Sequence, residues 1–176
     1  MNILITGANR GIGLAMVKEA LQRGHTVTAT ARNPKVAEEL SRLALEKADR
    51  LSVQTLDVTD DDSIQRLASV LNDAQDPLDV LINNAGVSTD KNAFAEVTRE
   101  AYLEVLNINT VAPLLITRAL LPALKKSTQP KVIHISSILG SIEAHSPDWA
   151  WKNYPYNSSK TALNMAARMM HFDLKE

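Results

Sequence analysis

The sequence predicts an α/β protein: a parallel sheet covered by helices on both faces. Three observations carry that expectation. Short continuous apolar runs alternate with stretches of helical apolar spacing, five times in succession. No repeat, low-complexity segment or linker interrupts the series. Finally, the glycines, amides and hydroxyls of chemical interest fall where an apolar run ends or a helix begins. Apolar runs of this length read as strands buried on both faces, and strand–helix alternation builds parallel units. Open sheets of that kind take their ligands at the carboxyl ends of the strands.

Composition narrows the class. A chain of 176 residues, 45% hydrophobic and 22% charged, is expected to form one domain with a substantial core. A net charge of -1 gives no general attraction to nucleic acid or acidic membranes. The lack of cysteine excludes disulfides, thiol chemistry and cysteine-ligated metals. Met1 runs straight into strand-like sequence, and no apolar run approaches the ~20 residues of a membrane span. The expectation is a cytoplasmic protein without a secretory signal.

Asn2-Ile3-Leu4-Ile5 is the first strand, and Thr6-Gly7 ends it. Gly7-Ala8-Asn9-Arg10-Gly11-Ile12-Gly13 then leads into Leu14–Leu21, which has helical spacing. A strand, a glycine-rich turn and a helix start make an anion site. Backbone N–H groups and the positive end of the helix dipole point at the ligand, and glycines let a pyrophosphate come close. The spacing is G-x3-G-x-G, so the G-x-G-x2-G fingerprint is not matched literally. An ordinary glycine-containing turn is the other reading. Gly24 closes the helix and His25–Thr30 is the second strand. NAD sites usually place a carboxylate at its end for the ribose 2′-hydroxyl. Here Ala31-Arg32-Asn33 carries none. Arg32 and Arg10 could instead fork onto a 2′-phosphate, which favours NADP(H) without excluding NAD(H). Two solvated arginines are the alternative.

Pro34 to Ala48 reads as a helix with Pro at its first position. Leu51–Leu56 is the third strand, and Asp57-Val58 at its end could bond an adenine or hold a turn. Thr59-Asp60-Asp61-Asp62-Ser63 opens the next helix with capping chemistry, so its acids read as structural rather than metal-binding. Leu78–Ile82 is the fourth strand and leads into Asn83-Asn84-Ala85-Gly86, small residues and amides suited to close approach of a ligand. Thr98 begins a long helix through about Lys126. Within it Pro113 cannot donate a backbone bond and crowds the carbonyl of Asn109. That disturbance could free a carbonyl and hold a water, or be only a kink. Lys131–Ile135 is the fifth strand, followed by Ser136-Ser137 and Gly140. Trp149, Trp151, Tyr154 and Pro155 could line an apolar pocket or pack on the surface.

Tyr156 and Lys160 are four residues apart and share one helix face. A phenol ordinarily titrates near ~10. An ammonium roughly 4–5 Å away would stabilise its phenolate by about 3–4 kcal/mol at an effective dielectric near 20, enough to make it a usable acid/base. An aromatic packed beside a solvated lysine is the competing reading of that pair taken alone.

These motifs together resemble the short-chain dehydrogenase/reductase family. Thr6–Gly13 is similar to its T-G-x3-G-x-G turn, and Asn83-Asn84-Ala85-Gly86 to its N-N-A-G segment. Asn109, Ser137, Tyr156 and Lys160 match its Asn-Ser-Tyr-Lys set in order. Ser136–Ile142 and Ser158–Asn164 look closest to C-factor-like and sniffer-like carbonyl reductases. The resemblance implies a Rossmann-type doubly wound sheet in three α/β/α layers, one NAD(P)-binding domain over 1–176. Its cofactor set would be Gly7, Asn9, Arg10, Gly11, Ile12, Gly13, Arg32, Asp57, Val58, Asn84, Ala85, Gly86, Tyr156 and Lys160, with no metal. It further implies hydride transfer between the nicotinamide and a carbonyl or alcohol. Tyr156 would supply the proton, Lys160 would assist it and bond the nicotinamide ribose, Ser137 would bond the substrate oxygen, and Asn109 would anchor a water. Members often pair through the two long helices, so a homodimer or homotetramer is expected. Two departures stand out. The Ser137–Tyr156 gap is longer than in many members, leaving an insertion over 141–155. Members also continue with two further strands and a substrate lid, so a C-terminally truncated chain is expected. A non-catalytic nucleotide-binding or signalling protein of the same fold is the competing class. A sugar-nucleotide epimerase shares the Tyr–Lys pair but needs a larger substrate domain.

Overall fold

The computed structural model describes residues 1–89, 94–145 and 152–174, so Trp149 and Trp151 lie outside the described residues. Five strands form one sheet: β1 (Asn2–Ile5), β2 (Thr26–Ala31), β3 (Leu51–Thr55), β4 (Val80–Asn83) and β5 (Lys131–His134). Their order is β3-β2-β1-β4-β5. The pairings of β1 with β2, β1 with β4 and β2 with β3 are parallel, with Ile3 opposite both Val27 and Val80. The predicted strands are recovered within a residue or two at their ends. The chain reverses its direction of growth between β1 and β4, which is the switch point of a doubly wound sheet.

Two compact units can be distinguished: Met1–Ala85 with Leu115–Ile133, and Gly86–Leu114 with His134–Glu176. In the first unit, α1 (Gly11–Gln22) buries Leu14, Val17, Ala20 and Leu21. These meet Ile3, Ile5, Val27, Ala29 and Leu40 in one apolar cluster. Strands this apolar on both faces have no solvent side, which is why periodicity of two is absent from β1. Gly24, at φ 81, takes the left-handed conformation that ends the helix region. α3 (Asp61–Asp73) starts where Asp60 accepts from the Asp62 N–H at 3.0 Å, the capping expected of that acidic run.

Two helix expectations are corrected. Pro34–Ala48 is not one helix but a 3-10 turn (Pro34–Val36) followed by α2 (Glu38–Glu46). Local bonds win there: Asn33 Oδ1 accepts from the Lys35 N–H at 3.2 Å, and Ser41 Oγ donates to the Pro34 carbonyl at 3.0 Å. The long helix from Thr98 is likewise divided. Thr98 caps α4 (Arg99–Leu106), a π turn covers Asn107–Val111, and α5 (Ala112–Ala119) is separated from α6 (Leu121–Leu124). Pro113 removes one backbone donor just after the widened turn, and Pro122 does the same at the start of α6. In the second unit, α7 (Tyr154–Asp173) packs against α4, the π turn and a 3-10 turn at Ile138–Gly140.

Candidate active site

In the first unit, the glycine turn is fixed from below by hydrogen bonds to the ends of β2 and β4 and to the segment after β4. The Ala8 N–H donates to the Thr30 carbonyl at 2.8 Å, and the Thr6 N–H to the Ile82 carbonyl at 3.0 Å. Thr6 is buried, and its Oγ1 accepts from the Asn84 and Ala85 N–H groups, each at 3.0 Å. The Asn84 amide donates in return to the Thr6 carbonyl at 2.8 Å and the Gly7 carbonyl at 3.0 Å. Asn84 is thereby a brace for the turn. Two of the three glycines are required by packing. A Cβ on Gly7 would lie 2.8 Å from the Ala85 Cα, and one on Gly13 would strike the Gly7 carbonyl and lie 2.6 Å from Asn84 Nδ2.

Gly11 differs. Its φ is 56, yet a Cβ there would meet nothing within 4 Å. No side chain among the described residues caps α1, whose N-cap Arg10 is extended. Asn9, Arg10, Gly11 and Ile12 are exposed. Exposed first-turn amides, a positive helix end and open space above Gly11 fit the pyrophosphate of a dinucleotide.

Arg32 is exposed at the end of β2, as expected. Asp57 and Val58 are half-buried after β3. Asp57 Oδ1 accepts from the Thr59 N–H at 2.9 Å and the Thr59 hydroxyl at 2.7 Å. Those two bonds, with a smaller contribution from the Arg32 guanidinium, hold the Asp57 carboxyl below the usual carboxylate range. Of the two roles open to Asp57, the turn is the one its contacts display.

The second unit gathers Asn109, Tyr156 and Lys160. Lys160 is 5% exposed, and its Nζ donates to the Ile135 carbonyl at 2.8 Å. The ammonium lies over the Tyr156 ring, 5.6 Å from its centroid, so the i, i+4 pair faces as the spacing predicts. Burial pushes the Lys160 ammonium below its ordinary value. Asn109 is 1% exposed and its amide is heavily used. Oδ1 accepts from the Val87 N–H at 2.9 Å; Nδ2 donates to the Val87 carbonyl at 2.8 Å and to Ser159 Oγ at 3.0 Å. Both amide hydrogens are therefore committed to the protein. Gly86, just before Val87, is exposed.

Ser137 is half-buried and caps the 138–140 turn, its Oγ accepting from the Leu139 N–H at 3.2 Å. The turn is pinned to α7 on both sides of Ser137. Ser136 Oγ donates to Asn164 Oδ1 at 2.6 Å, while Thr161 Oγ1 and Asn164 Nδ2 donate to the Gly140 carbonyl at 3.0 and 3.3 Å. A Cβ on Gly140 would lie 2.8 Å from the Lys160 carbonyl carbon. Asn153 caps α7 through Oδ1, accepting from the Tyr156 N–H at 2.9 Å. Its Nδ2 also reaches Ser88 Oγ at 3.1 Å and the Thr89 carbonyl at 2.6 Å. Asn followed two residues later by Pro155 was a legible start signal for this helix. Thr6, Ser159 and Asn164 fall within the quoted motifs, but nothing in the sequence assigns them these bonding roles.

The family model described as short chain dehydrogenase matches residues 1–176. Human "Retinol dehydrogenase 5" is 37% identical over 145 residues, which are 81% of this chain and 44% of that one. The crystal structure of NADPH bound carbonyl reductase from chicken fatty liver is 37% identical, with a TM-score of 0.93, and the match covers 99% of this chain and 74% of that one. Carbonyl reductase Sniffer of D. melanogaster is 33% identical at a TM-score of 0.91, over 99% of this chain and 75% of that one. The chain thus spans less than half the length of the human relative and about three-quarters of the two solved ones.

Proposed function

Because the chain belongs to the short-chain dehydrogenase/reductase family, we propose that it is an NADP(H)-dependent oxidoreductase interconverting a small carbonyl compound and its alcohol, with Tyr156 as the acid/base. The observation that carries the reading is Lys160 bonded to the Ile135 carbonyl with its ammonium over the Tyr156 ring. Among the described residues no carboxylate pairs with Lys160, so the placement of a buried lysine beside a phenol is best explained by proton chemistry.

The nicotinamide, when bound, supplies or accepts the hydride. In reduction the Tyr156 hydroxyl gives its proton to the substrate oxygen, and in oxidation it takes one back. The Lys160 ammonium stabilises the phenolate left behind. Ser137 donates to the same substrate oxygen as negative charge builds there. Its Oγ already accepts from Leu139, which leaves the hydroxyl proton to point at a ligand. Asn109, its amide committed to Val87 and Ser159, serves a water through the main-chain carbonyl, which Pro113 four residues on cannot satisfy.

In the first unit, the amides of Gly11, Ile12 and Gly13 hold the pyrophosphate, with Gly7 and Asn9 shaping the approach. Arg10 and Arg32 take the 2′-phosphate, a preference for NADP(H) over NAD(H) that rests on two exposed guanidiniums and no acid at the end of β2. Asp57 and Val58 flank the adenine, and Asn84, Ala85 and Gly86 border the dinucleotide. No metal takes part. The 176 residues act as one NAD(P)-binding domain, in the cytoplasm, as a homodimer or homotetramer. Among the described residues no helix is long and apolar enough to cross a membrane.

The test combines fluorescence titration with NADPH and a turnover assay on a panel of ketones and aldehydes. Tyr156→Phe should bind NADPH as the parent does and lose at least a hundredfold in kcat. Near-normal turnover in that variant defeats the assignment, and NADPH binding without turnover in the parent chain favours a non-catalytic nucleotide-binding protein.

A further inference from the structure

Outside the predicted set, the hydroxyl of Ser159 both accepts and donates a hydrogen bond in the interior of the second unit. It is fully buried at 0% exposure and lies next to Lys160 in the chain. Its oxygen accepts from Asn109 Nδ2 at 3.0 Å, and its proton goes to the Tyr156 carbonyl one turn back at 2.7 Å. The Ser159 carbonyl is bonded in turn by Thr110 Oγ1 at 2.9 Å. A chain of bonds therefore runs from the Val87 carbonyl through the Asn109 amide and the Ser159 hydroxyl to the backbone of Tyr156.

We propose that Ser159 is a positioning residue: its hydroxyl locks the helix turn carrying Tyr156 and Lys160 onto the π turn at Asn109, and so sets where the phenol and ammonium stand. This rests on the proton chemistry proposed above for Tyr156 and Lys160. A rotation of α7 about its axis would move both groups together, because they share one face. The π turn is a natural anchor against that rotation. Its widened loop brings the Asn109 amide onto the Ser159 hydroxyl, the same group that holds the Tyr156 carbonyl. Alanine at 159 would leave one Asn109 amide hydrogen buried without its partner and remove the tie to the Tyr156 carbonyl. Bonds in such a chain polarise one another, so losing the central hydroxyl weakens both neighbours.

Thr110→Val supplies a matched comparison. It removes an equally buried bond to the same residue of α7 yet leaves the Asn109–Ser159–Tyr156 chain intact. The experiment measures kcat, KM, urea midpoint and the ¹³C NMR titration of the Tyr156 ring in the full chain. The chain has only 3 tyrosines, so Tyr156→Phe assigns the signal. Ser159→Ala should lower kcat roughly ten- to hundredfold with KM nearly unchanged, and displace the Tyr156 titration. Thr110→Val should lower the urea midpoint comparably and leave turnover and titration in place. Ser159→Cys keeps the side-chain shape in a slightly larger, weaker hydrogen-bonding group and should fall between the two. It carries the same comparison where the alanine variant does not fold. Turnover and titration within about twofold of the parent in the serine variants, or an equal loss in Thr110→Val, overturns the proposal. Retained activity in Tyr156→Phe would instead strike at the function itself.

Discussion

Three glycine-to-alanine substitutions in the first unit separate shape from binding, because the glycines differ in what a methyl group would meet. Gly11 and Gly24 both have positive φ, 56 and 81, and both face open space. Alanine at either site carries only the left-handed backbone penalty of about 1–2 kcal/mol. The two variants should therefore lose about the same stability. Gly24, however, is remote from the turn, whereas a methyl on Gly11 fills the space assigned to the pyrophosphate. Gly11→Ala should raise the Kd for NADPH at least about tenfold, equivalent to ~1.4 kcal/mol, while Gly24→Ala leaves it unchanged. Gly13 reverses the usual sign. It lies inside α1 at an ordinary helical φ, where alanine in free space would stabilise by about 1 kcal/mol. Its methyl would instead strike the Gly7 carbonyl and the Asn84 amide, both of which are fixed by hydrogen bonds. A loss of roughly 3 kcal/mol or more is expected, in the range of severe overpacking. Urea unfolding with a common m-value gives the stabilities, and NADPH fluorescence gives the affinities. Equal NADPH affinity in Gly11→Ala and Gly24→Ala would refute the placement of the pyrophosphate. A stabilised Gly13→Ala would refute the packing argument.

The remaining predictions concern what braces the sheet. Thr6→Val keeps the shape but leaves the Asn84 and Ala85 N–H groups without their acceptor, so about 2–4 kcal/mol should be lost in urea unfolding; Thr6→Ser, which keeps the hydroxyl, should lose much less. At the other end of the sheet, Asp79 accepts from the Ser127 hydroxyl at 2.6 Å and the Asn2 N–H at 2.8 Å, which hold its carboxyl below the usual range. A carboxylate with a depressed folded value contributes stability above the unfolded value near ~3.9, and that contribution is lost as pH falls through the folded one. Asp79→Asn should therefore lower the urea midpoint at pH 7 by about 1 kcal/mol equivalent and flatten its fall below about pH 4. An unaltered acid limb in that variant would show that the carboxylate contributes nothing there.

Elements whose cause is local could be read directly. β1 is apolar from Ile3 to Ile5 because it is central in the sheet, and α1 starts at Gly11 because strand, glycine turn and helical spacing follow one another without a gap. The Tyr156–Lys160 pair follows from helical geometry alone, since i and i+4 share a face. The break in Pro34–Ala48 was harder to see. Nothing in periodicity shows that the Asn33 and Ser41 side chains would take backbone partners and interrupt the helix at Ala37. Pro113 did announce a disturbance near Asn109, but a proline reports a lost donor, not whether the chain will kink or widen into a π turn.

Asn109 shows where local reasoning stops. As a residue type in a helix it offers an amide for a water, and the motif suggested that use. Its actual partners are Val87, 22 positions away, and Ser159, 50 positions away. Pairings that distant are decided by which elements pack together, and neither charge pattern nor spacing encodes them. The same holds for Thr6, whose hydroxyl meets Asn84 and Ala85 across 78 and 79 positions. In both cases a small buried side chain satisfies backbone donors or acceptors of a segment that follows β4. That segment carries no regular structure over 84–89, so its own N–H and C=O groups need partners from elsewhere. Thr6 supplies them to Asn84 and Ala85, and Asn109 supplies them to Val87. No sheet or helix of its own ties this segment down. It is held instead by side chains whose identities look ordinary until the loop is in place.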